Sequence, residues 1–268
     1  MNELTWLNYL KKAELFPFHS YKYLDDAIEV EVLLDTSDIL LIQKKTTHDE
    51  PNELLWATSN FESLIKACEA YPQHVVKFIP DAWVEPLLQS GFVMYGELRE
   101  YWINPLTVID EEIPMDFAVK KDALAISHLT KANRLYSREF LGEEPKFIID
   151  WLTINEDGVN FQDNRYPAMI VEKNQDEFVG VCFVGLYGFS NPQGPTLWIR
   201  ELAVSPKYHG QGYGRKLLKK ALIYGVRHGA KRSFLMADDL NKRAIHLYQS
   251  LGFVAKMNEA QIDMLTRP

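Results

Sequence analysis

The stretch "SPKYHGQGYGRKLLKKAL", residues 205–222, restricts this chain more than any other. Gly210, Gly212 and Gly214 alternate with Gln211 and Tyr213, and from Arg215 onward apolar residues at 217, 218, 221 and 222 mark an amphipathic helix. Glycine lets the backbone take positive φ and come within contact distance of a ligand, at an entropic cost. A helix N-terminus adds unpaired N–H donors and a partial positive charge. Together they describe a cradle for an anion, most often a phosphate.

The order of elements around the cradle narrows the fold. The first part reads as a helix near residues 3–14, a strand pair "AIEVEVLL" and "ILLIQKK" across "DTSD", and a helix around "FESLIKACEAY". A strand "HVVKFI", a short helix with Asp81 as N-cap, and a strand "FVMYGELREYWI" follow. "NPLTVIDEEIP", residues 104–114, carries two prolines and an acidic cluster and reads as a boundary between domains at 1–108 and 115–268. Beyond it come a strand "FAVK", a helix capped by Asp122, a loop-and-helix region over 134–165, a hairpin of "AMIVEK" and "EFVGVCFVGLYGF", and a strand "TLWIRELAV". After the glycine loop and its helix, "RSFLMAD", "NKRAIHLYQSL" and "FVAKMNEAQIDML" read as strand, helix and strand. The fold class is α/β (α+β), with a mostly antiparallel sheet flanked by helices. A dinucleotide-binding unit would put its glycine loop after the first strand of repeated βαβ units. Here the loop follows an antiparallel meander, its spacing is G-x-G-x-G, and no Lys-Ser/Thr follows as a P-loop requires. Both common phosphate-loop readings fail.

Net charge is −8, yet residues 200–232 hold nine basic side chains against one acid, Glu201. Beside a glycine cradle that basic stretch suits a small polyanion, with Arg215 and the lysines adding to the phosphate contacts. The acidic remainder argues against nucleic acid. Cys68 and Cys182 are too few for a disulfide framework and point to a reducing, cytoplasmic setting. No apolar run reaches membrane-spanning length, so no membrane partner is expected. There is no G-x-S-x-G, no C-x-x-C and no H-x-x-x-H pair, so no metal is expected.

"LAVSPKYHGQGYGRKLL" followed by "NKRAIHLYQSLGF" resembles the GNAT superfamily of N-acetyltransferases, over roughly residues 115–268. The family's loop reads Arg/Gln-x-x-Gly-x-Gly/Ala. Gly212 and Gly214 match it, while His209 stands where Arg or Gln is usual. The second motif matches at Asn241, Ala244, Leu247, Tyr248, Gly252 and Phe253. The resemblance implies acetyl-coenzyme A as co-substrate, its pyrophosphate held by backbone amides of Gly210, Gln211, Gly212, Tyr213, Gly214 and Arg215. It also implies that backbone groups of Leu202, Ala203 and Val204 pair with the pantetheine arm. Tyr248 falls where the family keeps a tyrosine that protonates the departing thiolate. Asn241 reads equally as a coenzyme A contact and as a helix N-cap. For the base, Glu201 falls where several members keep a catalytic glutamate, and it also reads as a charge partner of Arg200 or the lysines. Asp238, Asp239 and water compete for that role.

The first half echoes the second. "WVEPLLQSGFVMYGELREYWI" parallels "AIHLYQSLGFVAKMNEAQIDML", with Leu87 or Leu88 in place of Tyr248 and no glycine loop before it. This reads as a degenerate, catalytically empty half of the same fold. The expected activity is acetyl transfer to a primary amine by direct attack in a ternary complex. A non-catalytic acyl-coenzyme A-binding or regulatory module, and an interaction protein docking a basic partner through its acidic half, are the competing readings. The segment "ANRLYSREFLGEEPKFIIDWLTINEDG" occupies the acceptor-shaping place in the family, and its acids and aromatics suit a cationic amine.

Overall fold

The runs "ILLI" and "LLWA" are apolar at every position, which requires strands covered on both faces. The computed structural model, which describes residues 3–20, 30–46, 51–107, 112–134, 137–138, 140–153 and 165–267, meets that requirement. The chain forms two units, one of residues 1–98 with 260–268 and the other of residues 99–259.

In the first unit α1 (Glu3–Ala13) precedes a short β1 (Phe18–His19), β2 (Val30–Asp35), β3 (Ile39–Lys44) and β4 (Glu53–Thr58). Then come α2 (Phe61–Cys68), β5 (Val75–Val76), α3 (Asp81–Gln89) and the opening of β6 (Val93–Ile103). β2, β3 and β4 are antiparallel neighbours and β5 lies parallel to β4. The last strand of the chain, β12 (Val254–Leu265), closes this sheet, with Met264 opposite Val76 and Leu265 opposite Val75. Alternation splits the apolar runs. Leu40, Ile42, Leu55 and Ala57 pack with α1, while Leu41, Leu54 and Trp56 join Leu64, Leu87 and Met264 on the other face. The sequence reading missed β1 and β4. "ELLWAT" has no period-2 signal because both of its faces are buried. Asp81 opens α3, but Pro80 is the N-cap and there is no side-chain cap bond. The first residues of "AIEVEVLL" and the middle of "NPLTVIDEEIP" lie outside the described residues.

The second unit holds the end of β6, β7 (Asp116–Phe117), α4 (Ala123–Lys131), α5 (Pro145–Thr153), β8 (Arg165–Asn174) and β9 (Glu177–Tyr187). β10 (Thr196–Val204), α6 (Tyr213–Arg227), β11 (Arg232–Asp238), α7 (Lys242–Gln249) and the start of β12 complete it. In this unit the strand order is β12-β6-β11-β10-β9-β8-β7, with β7 at the edge. β7 through β10 are antiparallel, and β10 and β11 are parallel. α6 and α7 cover one face with Leu217, Leu218, Leu222 and Tyr248 against Cys182, Val184 and Leu197. α4 and α5 cover the other with Ile126, Ile148 and Trp151 against Val181, Phe183 and Ala203. No helix among the described residues is long and apolar enough to cross a membrane.

Candidate active site

β10 and β11 pair only as far as Trp198 opposite Phe234. Beyond that register β10 runs on to Val204 and β11 to Asp238, so the strands part. The cause lies in β10. Its register against β9 slips between Ile199 and Glu201, leaving Arg200 as an extra residue. The bulge puts two successive side chains on the α4/α5 face. Arg200 stacks over Phe147 at 4.2 Å and pairs with Glu143. Glu201 lies opposite Phe183, and its carboxyl is buried, with Oε2 lacking a hydrogen-bond partner among the described residues. Burial first, and the nearby Glu143 carboxylate second, push the Glu201 pKa well above the usual carboxylate value.

Ala203 faces the same core as Glu201, while Leu202 and Val204 pack on the α6/α7 side. The Val204 carbonyl lies 2.8 Å from His209 Nε2, which must carry the proton because a carbonyl only accepts. His209 thus ties the glycine loop to the end of its strand.

Gly210 and Gly212 hold φ of 77° and 85°, the left-handed region that glycine enters freely. A Cβ on either would meet nothing within 4 Å, so bare space lies beside the loop. Gly212 caps α6 with no side-chain bond, and the first-turn N–H groups have no intrahelical acceptor. Gly214 serves packing instead, since a Cβ there would stand 3.2 Å from Leu247 of α7. The basic residues are largely engaged within the fold. Arg215 donates to Ser250 Oγ at 2.6 Å, Lys207 pairs with Glu177 at 3.0 Å, and Lys216 and the buried Lys220 both pair with Glu172.

Asn241 caps α7, its side chain accepting from the Ala244 N–H at 3.2 Å. Tyr248 on that helix is buried, its ring 6.4 Å from Tyr101 and 6.1 Å from Phe253. Burial, with Glu201 and Cys182 adding to it, raises its pKa far above the usual phenol value and keeps the hydroxyl protonated. The two other candidate bases sit differently. Asp238 takes the Arg138 guanidinium at 2.6 and 3.2 Å and the Arg138 and Leu240 N–H groups at 2.7 and 2.9 Å, which together outweigh burial and hold its pKa low. Asp239 pairs with the same guanidinium.

Sequence reasoning passed over Arg138 and Glu143, although both lie in "ANRLYSREFLGEEPKFIIDW". No local pattern signals which acids of an irregular segment turn inward. Leu135, Tyr136, Glu139 and residues 154–164 lie outside the described residues. Among the described residues no group of three or more His, Cys, Asp or Glu is placed to hold a metal.

Residues 128–253, from α4 through the glycine loop to the start of β12, match the acetyltransferase (GNAT) family. The second unit carries a GNAT domain. Thialysine N-epsilon-acetyltransferase of Bos taurus is 35% identical over 77 residues, 27% of this chain and 45% of that protein. Spermine/spermidine N(1)-acetyltransferase of Bacillus subtilis is 34% identical over 84 residues, 30% of this chain and 54% of that protein. The chain thus spans about half the length of these curated relatives. Among solved structures, a tandem GNAT protein from the clavulanic acid biosynthesis pathway aligns over 98% of this chain and 94% of its own, with TM-score 0.56 and 12% identity. A GCN5-related N-acetyltransferase from Sphaerobacter thermophilus aligns over 88% of this chain and 83% of its own, with TM-score 0.52 and 15% identity. These two likenesses concern fold, and they extend the GNAT-like architecture over both halves.

The first unit repeats the strand–turn–helix order and closes the places that the GNAT domain leaves open. β4 and β5 pair parallel at Glu53 and Leu54, and beyond that the Trp56 indole donates to the Lys77 carbonyl at 2.8 Å. α2 begins at Asn60, whose Oδ1 accepts the Ser63 N–H at 2.9 Å, so a side chain sits where α6 leaves its N-terminus bare. Gly91 and Gly252 hold matching φ of 90° and 95° between helix and strand.

Proposed function

We propose that this chain is an acetyl-coenzyme A-dependent N-acetyltransferase that works on a primary amine in a ternary complex, through the GNAT domain alone. The observation that carries the reading is a parted strand pair ending in a bare glycine-capped helix, with a buried carboxyl whose Oε2 has no hydrogen-bond partner among the described residues, and a buried phenol. The residues fit the co-substrate. Backbone N–H groups from Gly210 to Arg215 suit its pyrophosphate, and the strand edge at Leu202–Val204, with the His209-bound Val204 carbonyl at its end, suits its pantetheine arm. Acetyl-coenzyme A supplies an acetyl group activated as a thioester.

Glu201 takes the proton that the acceptor ammonium must lose, directly or through water; its raised pKa makes it a stronger base than an ordinary carboxylate. Tyr248, kept protonated by burial, donates its hydroxyl proton to the sulfur that is released. Asp238 is not the base in this scheme, because Arg138 holds it ionised and fully bonded. Asn241 positions Tyr248 by capping the helix that carries it. The first unit, with its helix capped by Asn60 and its strand gap bridged by Trp56, binds no coenzyme A. The reaction belongs in a reducing cytoplasm, a reading supported by Cys68 and Cys182, both free and buried.

A thiol-release assay over a panel of primary amines tests the activity. At least one amine should drive coenzyme A release above the amine-free rate. Acetyl-coenzyme A binding without release on any amine would support the non-catalytic module instead.

A further inference from the structure

Alternation sends Tyr101 and Trp102, near the end of β6, to opposite faces of the sheet. Tyr101 packs on the α6/α7 side against Tyr248. Trp102 lies stacked on Phe234 of β11, centroids 5.0 Å apart and planes 21° apart. Phe234 is in turn parallel to Trp198 of β10, at 6.2 Å and 9°. Tyr187 of β9 meets Phe234 edge-on at 5.8 Å. Trp151 of α5 closes the Trp198 end of the row, and the Arg232 guanidinium lies 5.7 Å from the Trp102 ring.

This row lies on the face that carries Arg200 and Glu201. Trp102, Phe234 and Trp198 are all half-buried. Met236, two residues beyond Phe234 and so on the same face, is 44% exposed at the strand that parts from β10. An apolar floor thus runs from the parted strands out along β11 and β6.

The chemistry of the surrounding groups selects its occupant. Among the described residues, the acids nearest this floor, Glu100, Glu143, Asp238 and Asp239, are each met by a cation. Glu100 accepts the Trp102 indole N–H at 2.8 Å and lies 3.7 Å from Lys256. Glu143 pairs with Arg200, and Asp238 and Asp239 pair with Arg138. Trp102 and Phe234 also hide their facing sides in each other, and the Arg232 guanidinium already lies over the Trp102 ring, so these rings turn mainly their edges outward. Ring edges carry the positive side of the quadrupole, so they repel ammonium and receive the face of another aromatic ring.

We propose that Trp102, Phe234, Trp198 and Met236 bind the apolar body of the acceptor. Trp102 is then a specificity-determining residue that selects amines carried on an aromatic or other flat apolar body over polyamines. The inference rests on the acetyl-transfer reading for the amine's fate, but not for its binding. It also gives β6 a task, because the strand that begins in the first unit supplies one end of the floor.

The test uses the full chain saturated with coenzyme A, as wild type, Trp102→Leu and Trp102→Phe. Calorimetric titration with 2-phenylethylamine and with spermidine measures binding, and thiol release with those amines and propylamine measures transfer. Phenylethylamine should bind and give kcat/KM about tenfold or more above spermidine. Trp102→Leu should cut the phenylethylamine-to-propylamine ratio of kcat/KM about tenfold, through KM, and Trp102→Phe should restore most of it. Absent phenylethylamine binding, a preference for spermidine, or equal losses on both short amines in Trp102→Leu would each overturn the proposal. Phenylethylamine binding lost in Trp102→Leu, with no transfer to any amine, would keep the floor and sink the transfer reading.

Discussion

Glu201 and Tyr248 are polar side chains that the GNAT domain buries at a cost in desolvation, and their environments suit the separate roles of base and acid proposed for them. Tyr248→Phe keeps the ring and its packing against Tyr101 and Phe253 while removing the donor. Turnover should fall by about 10²–10⁴-fold, with acetyl-coenzyme A affinity and Tm nearly unchanged. A fall in Tm with turnover retained would make Tyr248 a packing residue only. Glu201 makes a prediction about pH. Its folded pKa is raised, so the folded state binds its proton more tightly than the unfolded chain does. The stabilisation this gives is complete below the ordinary carboxylate value of 4.5 and is lost as pH rises toward the raised value. Glu201→Gln, which cannot ionise, should therefore match wild type in Tm near pH 4 and exceed it increasingly toward pH 8. Activity should move the other way, absent in Glu201→Gln and rising in wild type as Glu201 loses its proton. Equal Tm curves across that range would show that Glu201 is not held as described.

Among the elements, α6 and α7 were the most legible in the sequence, because their signals are local. Alternating glycines before an amphipathic run, and "NKRAIHLYQSLGF", need no knowledge of what lies across the sheet. The bulge at Arg200 was not legible, since a register slip is a property of two strands and "WIRELAV" alone reads as unbroken alternation. Arg138 and Glu143 were lost for the same reason, their partners Asp238 and Arg200 lying far along the chain. β4 was missed because burial on both faces erases the alternation that marks a strand. The seat of α6 gives a test at this scale. A Cβ on Gly225 would stand 2.7 Å from Leu197 Cδ2 and 3.1 Å from its Cβ, with Leu197 fully buried. Gly225→Ala should thus destabilise by about 1–3 kcal/mol despite the better helix propensity of alanine, measured by urea unfolding. A gain in stability would mean that α6 packs less tightly on β10 than described.

At the scale of the whole molecule, the chain's last residues belong to its first unit. Met264 is fully buried there, the Thr266 hydroxyl donates to the Tyr71 carbonyl at 2.6 Å, and Arg267 reaches the Ser90 carbonyl. The parallel between "SGFVMYG" and "LGFVAKM" announced a repeat but not this return of the chain, which no local pattern encodes. Deleting residues 260–268 should leave the GNAT domain folded and expose the first unit to proteolysis, with cleavage concentrated before residue 98; uniform resistance would show the first unit closing without β12. The two units also differ where a coenzyme would lie, one helix start bare at Gly212 and the other capped by Asn60. Titration of the intact chain with acetyl-coenzyme A measures whether only the bare helix start holds the coenzyme. One molecule should bind per chain, and affinity should fall about tenfold or more in a folded Gly212→Val variant. Two molecules per chain, or full affinity in that variant, would contradict a single site at the bare helix start.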